Sequence, residues 1–154
     1  MTDFDTISTD TWTIALPSDW EDKGEDDGST HYFESADGSK GVYLNTWFVD
    51  ETDDETPTEL AEMFRAVDME TLEEMEDCSW RIMSDETQEL PGATISVTDA
   101  LAEASTYRIV GKILVRPPVV VRAAFHDYEC TQYEESLAFF APIIQSLNFS
   151  EGED

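Results

Sequence analysis

The residue types best suited to chemistry lie together at 125–130, where Phe125, His126, Asp127, Tyr128, Glu129 and Cys130 bring one of two histidines beside one of two cysteines. Side chains alternate across a strand, so His126, Tyr128 and Cys130 are expected on one face, with Asp127 and Glu129 opposite. A metal would need three or four convergent N, S or O ligands. Cys78 is the other thiol, and nothing in its spacing brings it near. The plainer reading is a strand end where the tyrosine and cysteine pack and the histidine meets solvent or a carboxylate.

Other catalytic patterns are missing from the sequence. No serine sits in a Gly-flanked elbow, and no glycine-rich loop would cradle a phosphate. Residues 50–55 lack the ordered Asp-x-Asp-x-Asp-Gly spacing of a calcium loop. With 36 Asp and Glu in 154 residues, any one pair of carboxylates singles out nothing. The chain therefore reads as a non-enzyme, with no catalytic residue, no cofactor and no metal ligand to name.

Charge carries more information. Eight Lys and Arg against 36 acids give a formal net charge of −28, far beyond the magnitude of about 2–8 usual for a small domain. Repulsion at this level costs stability unless a medium screens it or a partner uses it. Nucleic acid and anionic membrane surfaces are disfavoured partners, since both need the opposite sign. Four of the eight cations, Arg108, Lys112, Arg116 and Arg122, fall in the acid-free stretch 104–125. Parity puts the first three on one strand face. They can pair with carboxylates of covering helices or neighbouring strands, or form a cationic strip for an anionic group of a partner.

The elements that must position these residues follow from periodicity. Two apolar-rich segments around Arg116-Pro117-Pro118 read as a hairpin spanning 105–130 at the centre of a sheet, since the prolines cannot continue a ladder. Alternation predicts further strands over 11–16, 31–34, 41–49, 78–83 and 93–101. Asp37-Gly38 marks a hairpin turn, and the strand at 41–49 has apolar residues on both faces, as if buried on both. Residues 21–28 read as an exposed loop and 85–89 as a turn.

Thr56 can cap a helix with Pro57 first and Glu59 three residues on. Its apolar stripe would be Leu60, Met63, Phe64 and Val67, with a break near Val67-Asp68. A second helix over 132–147 would bury Tyr133, Leu137, Phe140, Ala141, Ile144 and Leu147, and Pro142 would bend or divide it. The expected architecture is one α+β domain over 1–154, an antiparallel sheet of about six to seven strands covered by two main helices. Loose acidic ends are expected at about 1–10 and 150–154.

One layout resembles a known group. Leu16-Pro17-Ser18-Asp19-Trp20 closing an early strand, a helix after the third strand, a long Tyr-containing hairpin and a last helix ending Ile144-x-x-Leu147 are similar to the PsbP-like α/β/α sandwich. That group includes bacterial DcrB-type proteins and the effector-associated chaperones of type VI secretion. The resemblance implies a binding or accessory role and carries over no functional residue.

Three functions compete. The favoured one is a non-enzymatic immunity or inhibitor-type protein that neutralises a basic toxin or effector, binding it through Glu59, Glu62, Asp68, Glu70, Glu73 and Glu74. The alternative is a secretion-effector chaperone or adaptor, and the third a housekeeping domain of a halophile, for which the three lysines speak. No basic, apolar leader opens the chain and no run approaches a membrane span, so cytoplasm is the expected location, with two reduced thiols. A monomer or homodimer fits any of the three.

Overall fold

Residues 107–127 form the hairpin on which the sheet is built. The computed structural model describes residues 4–23, 30–49, 56–75 and 79–149. In chain order these hold β1 (Phe4–Ser8), β2 (Trp12–Pro17), β3 (Glu21–Asp22), β4 (Thr30–Glu34), β5 (Lys40–Phe48), α1 (Pro57–Glu73), β6 (Arg81–Leu90), β7 (Ala93–Ala102), β8 (Tyr107–Arg116), β9 (Val119–Asp127), α2 (Tyr133–Ser146) and β10 (Asn148–Phe149). Seven strands make one antiparallel sheet in the order β3-β4-β5-β9-β8-β7-β6, and three make a small one, β1-β2-β10. This is a single α+β domain with the long hairpin in the middle. Pro117 and Pro118 close that hairpin through a cis bond, and the Pro118 carbonyl accepts the Val49 N–H at 2.7 Å.

Each face of the large sheet carries a different cover. Val42, Leu44, Val110, Leu114, Val121 and Phe125 meet Trp12, Ile14 and Leu16 of β2 and Phe140, Ile143 and Leu147 of the α2 segment. On the opposite face Ile113, Val115 and Val120 meet Leu60 and Ala61 of α1, with Phe64 beside them. Among the described residues the first core has fourteen buried side chains and the second five. At about 1.5–3 kcal/mol for each large side chain fully buried, most of the burial energy lies on the α2 side. α1 lies mainly over β7 and β8, and reaches Val120 and Arg122 of β9 and Trp47 of β5.

Several expectations are corrected by this arrangement. Phe4–Ser8 is a strand, not a loose end: it pairs with one edge of β2 and β10 takes the other. Asp85–Glu89 is not a turn but part of β6. An edge strand, almost wholly exposed and paired only to β7, carries few apolar residues to announce it. Trp47 and Phe48 are 39% and 72% exposed, even though the Trp47 ring meets Phe64 of α1 at 5.1 Å.

Both helices also differ from expectation. α1 does not break at Val67-Asp68, and its stripe is rotated: Met63 and Val67 are 52% and 59% exposed, while Asp68 turns inward to Arg122. α2 runs unbroken through Pro142, which sits on the solvent side where water can reach the carbonyl left without a donor. Its inner face is Ser136, Phe140 and Ile143, with Leu137 half-exposed. The Thr56 cap is as expected, its hydroxyl accepting the Glu59 N–H at 3.1 Å. The acidic segments 24–29, 50–55 and 150–154, and Cys78, lie outside the described residues.

Candidate functional site

The four cations of the hairpin region are all engaged. Arg108, on β8, donates from Nε and Nη2 to the two Asp99 carboxylate oxygens at 2.9 Å each, and from Nη1 to Ser136 Oγ at 2.9 Å. Tyr133 donates to the same carboxylate at 2.6 Å. Lys112 donates to the Ile144 and Leu147 carbonyls, both at 2.7 Å. It therefore satisfies the negative end of α2, and burial lowers its ammonium to about 8. The Arg116 guanidinium lies 4.4 Å over the Phe149 ring. Arg122, on β9 and the other face, pairs with Asp68 of α1 at 2.5 Å. Burial raises the Asp68 carboxyl, against the opposing pull of Arg122. These groups fasten the covering elements to the sheet rather than form an open strip for an anion.

His126 is half-buried and meets a tyrosine rather than a carboxylate. Its Nδ1 lies 2.6 Å from the Tyr107 hydroxyl on the neighbouring strand. Tyr43 meets the ring edge-on at 5.4 Å and Tyr128 stacks at 5.5 Å. Burial, and then the Arg122 charge, lowers His126 to about 4, so it is neutral near pH 7. The aromatic row continues in both directions, to Trp80 against Tyr107 at 5.3 Å and to Tyr32 stacked on Tyr43 at 4.2 Å. Tyr32 fits because Gly41 has no side chain, since a Cβ there would stand 2.6 Å from the ring. Its hydroxyl donates to Glu34 at 2.9 Å.

Cys130 is not part of this row. The strand ends at Asp127, and a turn carries Cys130 to the α2 side, where its N–H bonds the Thr106 carbonyl at 2.7 Å. Burial pushes its thiol up, with Ser136 as hydrogen-bond neighbour. Histidine and cysteine therefore do not converge. Among the described residues no group of three or more His, Cys, Asp or Glu is placed to hold a metal.

Beside His126 a cavity of about 180 Å³ separates α1 from the sheet. Met69, Leu72 and Met75 line it from the helix side, and Ala100, Ile109, Gly111, Ile113 and Ala124 from the sheet. Tyr43, Asn45, His126 and the Asp68–Arg122 pair add polar edges. Tyr43, 37% exposed, stands at the solvent side. No motif pointed to this cavity, because it depends on where α1 lies and which way it is turned.

Of the six carboxylates expected to face a partner, Glu59, Glu62, Glu70, Glu73 and Glu74 are exposed on or just past α1. Asp68 is not, for the reason given above. Exposed Met63 and Val67 lie on the same helix.

A seven-stranded antiparallel sheet between α1 on one face and α2 on the other defines the PsbP-like α/β/α sandwich. The solution structure of cyanobacterial PsbP (CyanoP) from Synechocystis sp. PCC 6803 superposes with a TM-score of 0.69 over 97% of this chain and 94% of that one, at 11% identity. A crystal structure from Bacteroides thetaiotaomicron VPI-5482 reaches a TM-score of 0.44 over 92% of this chain and 46% of that one, at 16% identity. No family model matches the sequence, and no curated protein does. At such identities the likeness establishes the fold and not the role. Among the described residues no helix is long and apolar enough to cross a membrane.

Proposed function

We propose that this protein is a non-enzymatic protein-binding module of the immunity or inhibitor type, which neutralises a basic toxin or effector in the cytoplasm. The observation that carries the reading is the outer face of α1. Its exposed carboxylates stand beside apolar Met63 and Val67, while buried Asp99 and half-buried Asp68 already have cationic partners. An unneutralised acidic face steers a basic protein and raises its association rate, and exposed apolar side chains add area once it docks. His126, neutral and bonded through Nδ1, supports a packing role for the one histidine in the cavity wall.

The test is capture from the native lysate by the full chain and by a Glu62→Lys/Glu70→Lys/Glu73→Lys variant, at low and high salt, with bound proteins identified by mass spectrometry. A basic protein held by the wild type at low salt, released by salt and absent from the variant is the expected result. A bound set unchanged by charge reversal overturns the reading. A partner gripped through the salt wash by both chains would favour the chaperone alternative.

A further inference from the structure

The cavity under α1 plays no part in a purely electrostatic docking, yet its size and walls suit a particular occupant. We infer that it is an anchor pocket for one large apolar side chain, of phenylalanine, leucine or methionine type, carried on a basic segment of the partner. The segment's charge rests on the function proposed above, while the apolar side chain rests on the cavity alone.

Volume sets the first limit. An apolar cavity of about 150 Å³ accommodates benzene, whereas drug-sized ligands need roughly 300–1,000 Å³. At about 180 Å³ this one fits a single ring or a branched aliphatic group.

The walls set the second limit. Met69, Leu72 and Met75 face Ile109, Ile113 and Ala124 across the space. Methionines adapt to irregular shapes and make favourable sulfur–aromatic contacts. The charged groups at the edge are matched internally: Asp68 with Arg122, and Arg65 with Asp85. His126 is held by Tyr107. A charged ligand would have to displace one of these pairings, whereas an apolar group displaces none.

The surroundings set the third. Glu70 and Glu73 are exposed on the stretch of α1 that supplies Met69 and Leu72 and runs on to Met75 just past its end. A segment that brings an apolar side chain past these carboxylates is favoured when the flanking residues are basic. A buried apolar anchor ringed by weaker polar contacts is how binding energy concentrates at protein interfaces.

Side-chain analogues test the pocket without the partner. The full chain, labelled with ¹³C at the methionine methyls, is titrated by NMR with toluene, the phenylalanine side chain, and separately with n-butylammonium, the lysine side chain. Toluene is expected to shift Met69 and Met75 saturably, leaving exposed Met63 unmoved, and n-butylammonium to shift neither. Ala124→Leu should abolish the toluene shifts by filling the space. Gly111→Ala, whose added Cβ would lie at an ordinary 3.5 Å from Asp68, should weaken toluene by about tenfold.

Motionless Met69 and Met75 signals, Met63 moving equally, or n-butylammonium moving them where toluene does not would each overturn the proposal. If toluene fails while charge reversal still abolishes capture, the pocket falls and the docking face stands. If toluene binds and charge reversal changes nothing, the cavity stands as an apolar site and the basic flanks are removed.

Discussion

His126 is taken out of ordinary acid–base use by its surroundings: half-buried, bonded through Nδ1 to Tyr107, and close enough to Arg122 to feel a repelling charge. Its pKa of about 4 lies below the usual 6.5. Above 6.5 folded and unfolded chains both hold it neutral. Between 6.5 and 4 the unfolded chain takes up a proton that the folded one refuses, so this group's contribution to stability falls as pH falls through that window. An NMR titration of the His126 ring should give a midpoint near 4, and one near 6.5 would show the ring to be solvated. The Arg108–Asp99 pair makes a sharper demand on stability. Asp99→Ala leaves a buried guanidinium with the Ser136 hydroxyl and the Tyr133 and Phe140 rings but no anion, and should cost about 3–5 kcal/mol in urea unfolding, whereas Arg108→Met with Asp99→Leu should recover part of it. Strand parity placed Arg108 and Lys112 on one face from sequence alone. What they meet was not legible, because helix carbonyls leave no residue-type signature and the partner of His126 is fixed by the register of β8 against β9.

At the scale of elements, the two helices are held by unequal means. α2 closes the larger core and is tied down by Lys112 and Arg108. α1 rests on the smaller core, five buried side chains of which Leu60 and Ala61 are its own, and on two partly exposed ion pairs to the sheet, Arg122–Asp68 and Arg65–Asp85. Amide hydrogen exchange should therefore show α1 opening at lower free energy than α2, and equal protection would contradict this ranking. Within α1 the Thr56 cap is worth about 1 kcal/mol, the loss expected for Thr56→Ala in thermal or urea unfolding. That cap could be read directly, since Thr-Pro-x-Glu is a local pattern whose meaning does not depend on the rest of the chain. The rotation of α1 could not. Met63 and Val67 are apolar enough to suggest an inner face, but Arg122 waits on the sheet and draws Asp68 inward instead. The same lesson holds for β6, a polar edge strand whose pairing with β7 alone reveals it.

For the whole molecule, the fold class was legible because the long hairpin and two helical stripes leave few other ways to cover a sheet, while the purpose of the charge was not. The two can be separated by asking whether the acidic face of α1 is there for stability. Glu70 and Glu73 occupy the last turn of α1, which has no basic residue, where the helix dipole disfavours carboxylates by about 0.3–1 kcal/mol each. They also add to a net charge of −28. Lysine at 62, 70 and 73 relieves both penalties, so the triple variant should melt higher than wild type in dilute buffer. The gap should narrow in about 1 M NaCl, where the screening length falls to roughly 3 Å. Differential scanning calorimetry across NaCl concentrations gives both curves. A variant more stable than wild type at low salt means these carboxylates are kept at a cost to the fold, which is what a docking surface requires. A variant less stable there would make the same residues part of what holds α1 in place, and the acidic face would lose its claim to a partner. A wild-type chain that shows no cooperative transition in dilute buffer would assign the acidity to a saline medium instead.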